Sequence, residues 1–389
     1  MAITISAVPD SIMFTRNLIA ITIASSSGTT VSIELVVTVN AITSSYYLSA
    51  PVIGGDVTFY LNKILNDCLN PALDFPLSQS DSAPVLCANT TLSYYMNITE
   101  FTSGAITDTE TSSVYTAVAG GIEEQYAAGN IFWTTSPALI PFQTWHNLSR
   151  KKQITPSDAQ YLTFFTRAPA GPVNLWLKSY GFDDATIQTV KITDVEVEDT
   201  VGLNMYRIAF NNPTISFADF LTDITVVKKI EVWLEQEPTP YTEKRTYYID
   251  HQTYLHNNQF AYLNSMGGVD TINLHGPLEI APNILRFIAA KSKPANYQAN
   301  DAPLFNYNIS SSREFKISNT AASRYEALYI EELLLSPKVC FLSEGYWIPV
   351  IITSSKVKLI DDSQQIYAYE IEYRLAHNNT SFTPARLIE

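Results

Sequence analysis

The chain has 389 residues, which is enough for two or three domains with sizeable hydrophobic cores. Its 24 Lys and Arg against 38 Asp and Glu give a net charge of −14, which argues against binding to nucleic acid phosphates. Because only 16% of the residues are charged while 46% are hydrophobic and 23 are Tyr, the composition is typical of a Tyr-rich β protein and not of a disordered chain.

The sequence shows no secretion or membrane signal. The stretch MAITISAVPDSIMFTRN lacks a basic leader and a cleavage site, and the most apolar windows are far shorter than the roughly 20 residues that cross a bilayer. Three cysteines, an odd number without the spacing of metal ligands, indicate buried reduced thiols: Cys68, Cys87 and Cys340. We therefore expect no membrane span and assembly in a bacterial cytoplasm.

Residues 1–140 predict an N-terminal β domain. Apolar residues alternate from Val31 to Val39, which is the pattern of a half-buried strand. Apolar residues at helical spacing between Tyr60 and Leu69 predict a short helix, which Asn70-Pro71 ends.

Within that domain, residues 71–140 are interrupted by patches rich in Ser, Thr, Ala and Asp. They predict long loops, with short edge strands as the alternative. Between Asp81 and Gly121 the aromatic residues stand among polar ones, so we expect an intersubunit arm whose aromatic side chains need a partner surface to leave water. The candidate interface residues of this arm are Tyr94, Tyr95, Phe101 and Tyr115.

Residues 141–250 predict a second β-sandwich-like domain. Apolar residues alternate from Val173 to Leu177, and Val195 and Val197 alternate with acidic residues. Ser216 can cap a short helix that runs to Leu221.

Residues 251–389 predict a C-terminal β domain that contains the hairpin YLNSMGGVDT. Gly267, Gly268 and Asp270 are the structural turn residues, with positive φ expected at both glycines, and the return strand begins at Val269. Residues 285–288 are ambiguous between strand and helix, and 291–313 are polar and rich in turn formers. Alternation from Tyr367 to Leu375 predicts a regular strand.

The sequence predicts no catalytic, cofactor or metal site. Acidic residues around Trp233 are compatible with a glycosidase, but strand alternation alone explains Glu231, Glu235 and Glu237. A calcium site would need a loop signature that is missing around Asp194, Glu196, Glu198 and Asp199. The five histidines form no zinc motif, and no nucleophile or phosphate-loop motif occurs.

Two segments carry a resemblance to a known group of proteins. YLNSMGGVDT resembles a hairpin of tail and baseplate proteins of tailed phages and prophages of Bacteroidota. Residues 325–384 resemble the closing region of the same proteins, through YEALYIEELLLSPKVCF, WIPVIITSSKVKLI and YAYEIEYRLAHNNTSFTP. The resemblance covers the last third of the chain, and the first 250 residues only in their general style.

The resemblance implies a structural virion protein in the tail tip, the baseplate or a tail-associated ring. It also implies a homo-oligomer of six or a multiple of three copies that binds other phage tail proteins. The alternative is a receptor- or carbohydrate-binding module, in which exposed Trp and Tyr stack on a host-surface glycan. For the fold we expect a mainly β chain of several β-sandwich-like domains with a few short helices.

Overall fold

The computed structural model describes residues 3–25, 29–69, 85–121, 151–167, 173–195, 203–211, 216–236, 239–292, 296, 298, 304–321, 324–358 and 367–376. The fold is mainly β, as the sequence predicted, and it divides into two compact units. Unit 1 contains the described residues up to 251 together with 263–270. Unit 2 contains those of 252–262 and those from 271 onward.

The described residues of unit 1 form strands and two very short helices. Its strands are β1 (Thr4–Ala7), β2 (Ile12–Phe14), β3 (Ala20–Ala24), β4 (Thr30–Val39), β5 (Ile42–Pro51), β6 (Asp56–Tyr60), β7 (Val85–Leu86), β8 (Thr91–Thr102), β9 (Ala105–Thr111), β10 (Tyr115–Val118), β11 (Lys151–Ile154), β12 (Gln160–Arg167), β13 (Val173–Gly181), β14 (Thr186–Val195), β15 (Leu203–Asn211), β16 (Val227–Gln236), β17 (Thr239–Pro240) and β18 (Arg245–Ile249). The helices are α1 (Asn62–Cys68) and α2 (Phe217–Phe220), and a 3-10 turn covers Ile224–Val226.

A first sandwich packs a three-stranded sheet on a six-stranded one. The small sheet has the order β1-β3-β6, and the large sheet has the order β2-β10-β8-β4-β5 with β9 beside β8. Alternate residues of β4 from Val31 to Val37 face the shared core, because successive side chains of a strand point to opposite faces. Helix α1 buries Leu65 in the same core, so the predicted short helix is confirmed.

Strand β8 overturns the expected arm. It lies inside the large sheet, paired with β4 along one side and with β9 and β10 along the other. Its residues alternate between buried and half-buried, which is the pattern of a sandwich strand and not of a loop. Residues 81–84 of the expected arm lie outside the described residues.

The aromatic side chains of the expected arm follow the same alternation. Tyr94 and Tyr115 are buried in the core with ring centroids 5.5 Å apart, and burial raises the pKa of Tyr94. Tyr95 and Phe101 are half-buried, and Tyr95 lies on the opposite face of β8 from Tyr94. The arm prediction is therefore wrong for this segment, since Tyr94 and Tyr115 leave water inside their own domain.

A second sandwich pairs a sheet of order β11-β18-β16-β13-β14, with β17 beside β16, and a sheet of order β12-β15-β7. Its core takes buried residues from both sheets, among them Phe164, Leu175 and Phe210. The N–H of Ser216 donates to the Asp219 carboxylate at 2.9 Å where α2 begins, so the second predicted helix is confirmed. Since β7 comes from residues 85–86, the boundary at residue 140 stays a prediction.

The described residues of unit 2 form one helix and most of a seven-stranded sheet, in which Leu263, Val269 and Asp270 are counted with unit 1. The elements are β19 (Asn258–Leu263), β20 (Val269–Leu274), β21 (Leu278–Ala290), β22 (Leu304–Ala321), α3 (Arg324–Leu335), β23 (Val339–Ser343), β24 (Tyr346–Ile352) and β25 (Tyr367–Leu375). The sheet order is β20-β19-β23-β24-β25-β22-β21. Strand β25 was predicted, and its Tyr369, Ile371 and Tyr373 are buried between exposed neighbours. Helix α3, which sequence patterning did not predict, buries Ile330 and Leu333 in the same core.

Candidate assembly surface

The turn of the YLNSMGGVDT hairpin is a close backbone contact inside unit 1. Gly267 has a φ of 80°, and the φ of Gly268 is not positive. The expectation of positive φ at both positions is therefore wrong for Gly268. A Cβ atom on Gly267 would lie 2.2 Å from the carbonyl oxygen of Ala119. A Cβ atom on Gly120 would lie 2.5 Å from the carbonyl oxygen of Ser265. Neither glycine can therefore carry a side chain without a shift of the backbone.

Polar contacts fix the same turn from both ends. The Asn264 side-chain oxygen accepts from the N–H groups of Met266 at 3.1 Å and Gly268 at 2.8 Å. Asp270 pairs with Lys152 at 2.9 Å, with only 5% and 13% of the two side chains exposed. Met266 is fully buried in a small cluster with Phe14, Val118, Phe165, Leu203 and Met205. These contacts make the turn a structural element.

The acidic and aromatic residues around Trp233 are also engaged. Tyr180 donates to Glu231 at 2.7 Å, and burial together with this bond raises the pKa of Tyr180 to about 12. Trp233 donates to Glu235 at 3.0 Å, stacks on Trp176 at 6.5 Å and is only 6% exposed. Little of its ring face is open to a sugar.

Of the residues considered for calcium binding, only Asp194 lies in the part of the chain that the structure describes. Asp194 pairs with Lys191 at 2.8 Å on the surface, and residues 196–199 lie outside the described part of the chain. Among the residues that the structure describes, no three His, Cys, Asp or Glu side chains come together as a metal site. No helix in that part is long and apolar enough to cross a membrane. The three cysteines form no disulfide, and only Cys340 is buried, so the expectation of buried thiols is wrong for the half-buried Cys68 and Cys87.

The most unusual surface is a two-stranded extension of unit 2. Strands β21 and β22 pair from Leu278–Ile317 out to Ala290–Leu304, but β25 pairs with β22 only from Glu314 onward. Residues 282–290 and 304–313 thus form a two-stranded segment to which the described residues add no third strand. We call these two segments the ribbon.

The ribbon is exposed and apolar. Every described residue of β21 from Glu279 to Ile288 is exposed. Seven large hydrophobic side chains of the ribbon are exposed to water, by as much as 62% at Ile288: Ile284, Leu285, Phe287, Ile288, Leu304, Phe305 and Tyr307. Strand alternation places Ile284 and Ile288 on one face and Leu285 and Phe287 on the other. Both faces therefore present apolar surface.

Local contacts do not cover this surface. The Phe287 and Tyr307 rings lie 6.1 Å apart, and the Lys291 ammonium lies 4.9 Å from the centre of the Phe305 ring. An isolated two-stranded hairpin is at best marginally stable in water, and contiguous exposed apolar surface of this kind marks an interaction site. Burying the exposed half of each of the seven side chains would contribute about 1 kcal/mol apiece before the cost of association.

Sequence patterning missed the ribbon for a physical reason. Alternation reveals strands that have one face in a core, and the ribbon has neither face in the core of its own chain. The sequence did contain one signal for the ribbon, which is the ambiguity of residues 285–288 between strand and helix. A mostly apolar stretch without regular alternation is also expected of a strand that a partner covers on both faces.

Comparisons with known proteins add little to this geometry. No protein-family model and no curated protein matches the sequence. Among solved structures, the chain is similar to CBD12 from CALX1.2, at 10% identity over 61% of this chain and 82% of that one, with a TM-score of 0.19. It is also similar to the FN1–FN3 domains of chicken CNTN1, at 6% identity over 81% of this chain and 91% of that one, with a TM-score of 0.17. At such values neither similarity bears on function.

Proposed function

We propose that this chain is a structural virion protein of a tailed bacteriophage that works by binding other subunits in the tail tip, the baseplate or a tail-associated ring. The observation that carries the proposal is the ribbon, since an exposed apolar hairpin needs a partner surface to leave water. The resemblance of YLNSMGGVDT and of residues 325–384 to phage tail and baseplate proteins indicates the kind of particle.

In this role the chain is present in six copies or a multiple of three and binds other phage tail proteins. It is assembled in the host bacterial cytoplasm and resides in the virion. A net charge of −14 suits such a subunit, because like-charged free copies stay soluble until a specific surface docks.

The glycan-binding alternative has less support. Its candidate site around Trp233 is closed, because Trp233 is nearly buried and Lys244 lies over its ring at 4.4 Å, and only rings elsewhere, such as those of Tyr47, Tyr60 and Tyr346, are exposed. Under the assembly proposal we expect no binding by the purified chain on an array of bacterial surface glycans. Binding that free sugar competes away would favour the alternative.

The direct test is the location of the chain in particles. Antibodies raised against the purified chain are used for immunogold electron microscopy on gradient-purified particles from a bacterium that carries the gene. We expect gold at the tail, and quantitative mass spectrometry of the same particles to give six or a multiple of three copies. An unrelated tailed phage is the control. Particles that lack the chain while the lysate contains it would overturn the proposal.

A further inference from the structure

We propose that the ribbon of one copy docks on the acidic remainder of a second copy of this chain, head to tail. The inference rests on the proposed function, because it names the partner of the same assembly surface. Its two supports are the exposed apolar faces of the ribbon and the distribution of charge along the chain.

The charge of the hairpin that contains the ribbon is opposite to that of the remaining chain. Residues 282–313 contain four Lys or Arg (Arg286, Lys291, Lys293 and Arg313) and one acidic residue, Asp301, which is a net of +3. The remaining residues contain 20 Lys and Arg and 37 Asp and Glu, a net of −17. A second copy of the chain therefore offers the ribbon a partner surface of opposite sign.

The same charges disfavour the symmetric arrangements. Two segments of residues 282–313 would bring +3 against +3, and two remainders would bring −17 against −17, so both contacts are repulsive. Only the contact between a ribbon and a remainder is attractive. Such a contact joins different patches of the two copies, and a repeated contact of this kind closes into a ring when the rotation between copies permits it.

The contact lies on the faces of the ribbon, where its exposed apolar side chains are, and not on the free edge of β21 at Pro282. Pro282 lies in β21, the terminal strand of the seven-stranded sheet, and it has no N–H to offer to an added strand. Proline in an edge strand is one of the devices by which proteins prevent strands from pairing edge to edge. The apolar faces on both sides of the ribbon remain for contact, with Arg286 and Lys291 supplying the charge.

The register of the hairpin permits a ribbonless variant. Pro282 and Arg313 are directly paired, so residues 283–312 can be replaced by Asn-Gly, a two-residue turn that joins paired positions. Circular dichroism and thermal unfolding are used to check that this variant keeps the fold. It has lost the ribbon but keeps the surface on which a ribbon would dock.

Sedimentation velocity then separates the possible arrangements. We expect the intact chain to self-associate, the ribbonless chain alone to sediment as a monomer, and a fluorescent ribbonless chain to co-sediment with an excess of unlabelled intact chain. Ribbon-to-ribbon pairing predicts instead that the fluorescent chain stays monomeric in the mixture, and that result overturns the inference. An intact chain that is monomeric at all concentrations also overturns it.

A point variant tests the inference even if the ribbonless variant does not fold. Ile288→Asp places a carboxylate on the apolar ribbon, and we expect at least tenfold weaker self-association. Ile351→Asp is the matched control, because Ile351 is an exposed isoleucine of β24 outside the ribbon. Equal loss in both variants would contradict the role of the ribbon.

The outcomes also separate this inference from the proposed function. A chain that is found in phage tails but is monomeric in every mixture refutes head-to-tail docking alone. A chain that self-associates through the ribbon but is absent from purified particles refutes the virion assignment alone.

Discussion

Substitution of Gly267 by alanine tests the close backbone contact in the hairpin turn. The φ of 80° costs an L residue about 1–2 kcal/mol relative to glycine. The added Cβ would also lie 2.2 Å from the carbonyl oxygen of Ala119, so the turn must move back by most of an ångström. That movement strains the bond from the Gly121 N–H to the Ser265 carbonyl and loosens the packing of buried Met266.

These terms together lower the free energy of unfolding of unit 1 by about 3–4 kcal/mol, since a strained bond of this kind contributes roughly 1 kcal/mol and the loosened packing a similar amount. For a unit of this size the unfolding midpoint falls by about 10 °C, at roughly 3 °C per kcal/mol. Differential scanning calorimetry measures the shift directly.

Gly104→Ala is the matched control. Gly104 has a φ of 85°, but no atom lies within 4 Å of the position that its Cβ would take. The control therefore includes the cost of the left-handed backbone without the collision, and we expect a loss of only about 1–2 kcal/mol. Equal midpoints for the two variants would show that the contact between the turn and Ala119 contributes nothing.

Three further predictions address the core, the buried ion pair and a thiol. Tyr94→Ala should lower the free energy of unfolding by about 3–5 kcal/mol in urea denaturation and Tyr95→Ala by less than about 1 kcal/mol, because only Tyr94 lies in the core. A loss below about 1 kcal/mol for Tyr94→Ala as well would restore the arm hypothesis. Lys152→Met leaves the Asp270 carboxylate buried without its cation and should cost about 3 kcal/mol, whereas an unchanged urea midpoint would show that the pair is dispensable. Burial raises the pKa of the Cys340 thiol to about 11, so Cys340 should react with a maleimide at pH 8 only after unfolding; modification at that pH in the native chain, located by peptide mass spectrometry, would contradict this.

Local patterning was sufficient wherever one face of an element lies in a core. Strand β4, strand β25 and helix α1 follow directly from the alternation or the helical spacing of their apolar residues. The mainly β fold follows from composition in the same way. In each case burial of one side is encoded in a few consecutive residues, so no distant contact is needed to infer it.

Patterning failed where a distant partner decides the environment of a side chain. The Ser- and Thr-rich residues around β8 suggested loops, yet β4, β9 and β10 enclose that strand and bury Tyr94. Glycines mark the turn at Gly267, but only the approach of Ala119 explains why a side chain cannot fit there. The ribbon is the opposite case to β8. Its residues are as apolar as those of a core strand, yet no described strand or helix covers them. Tertiary structure decides these positions, since burial depends on which surfaces the whole chain brings together.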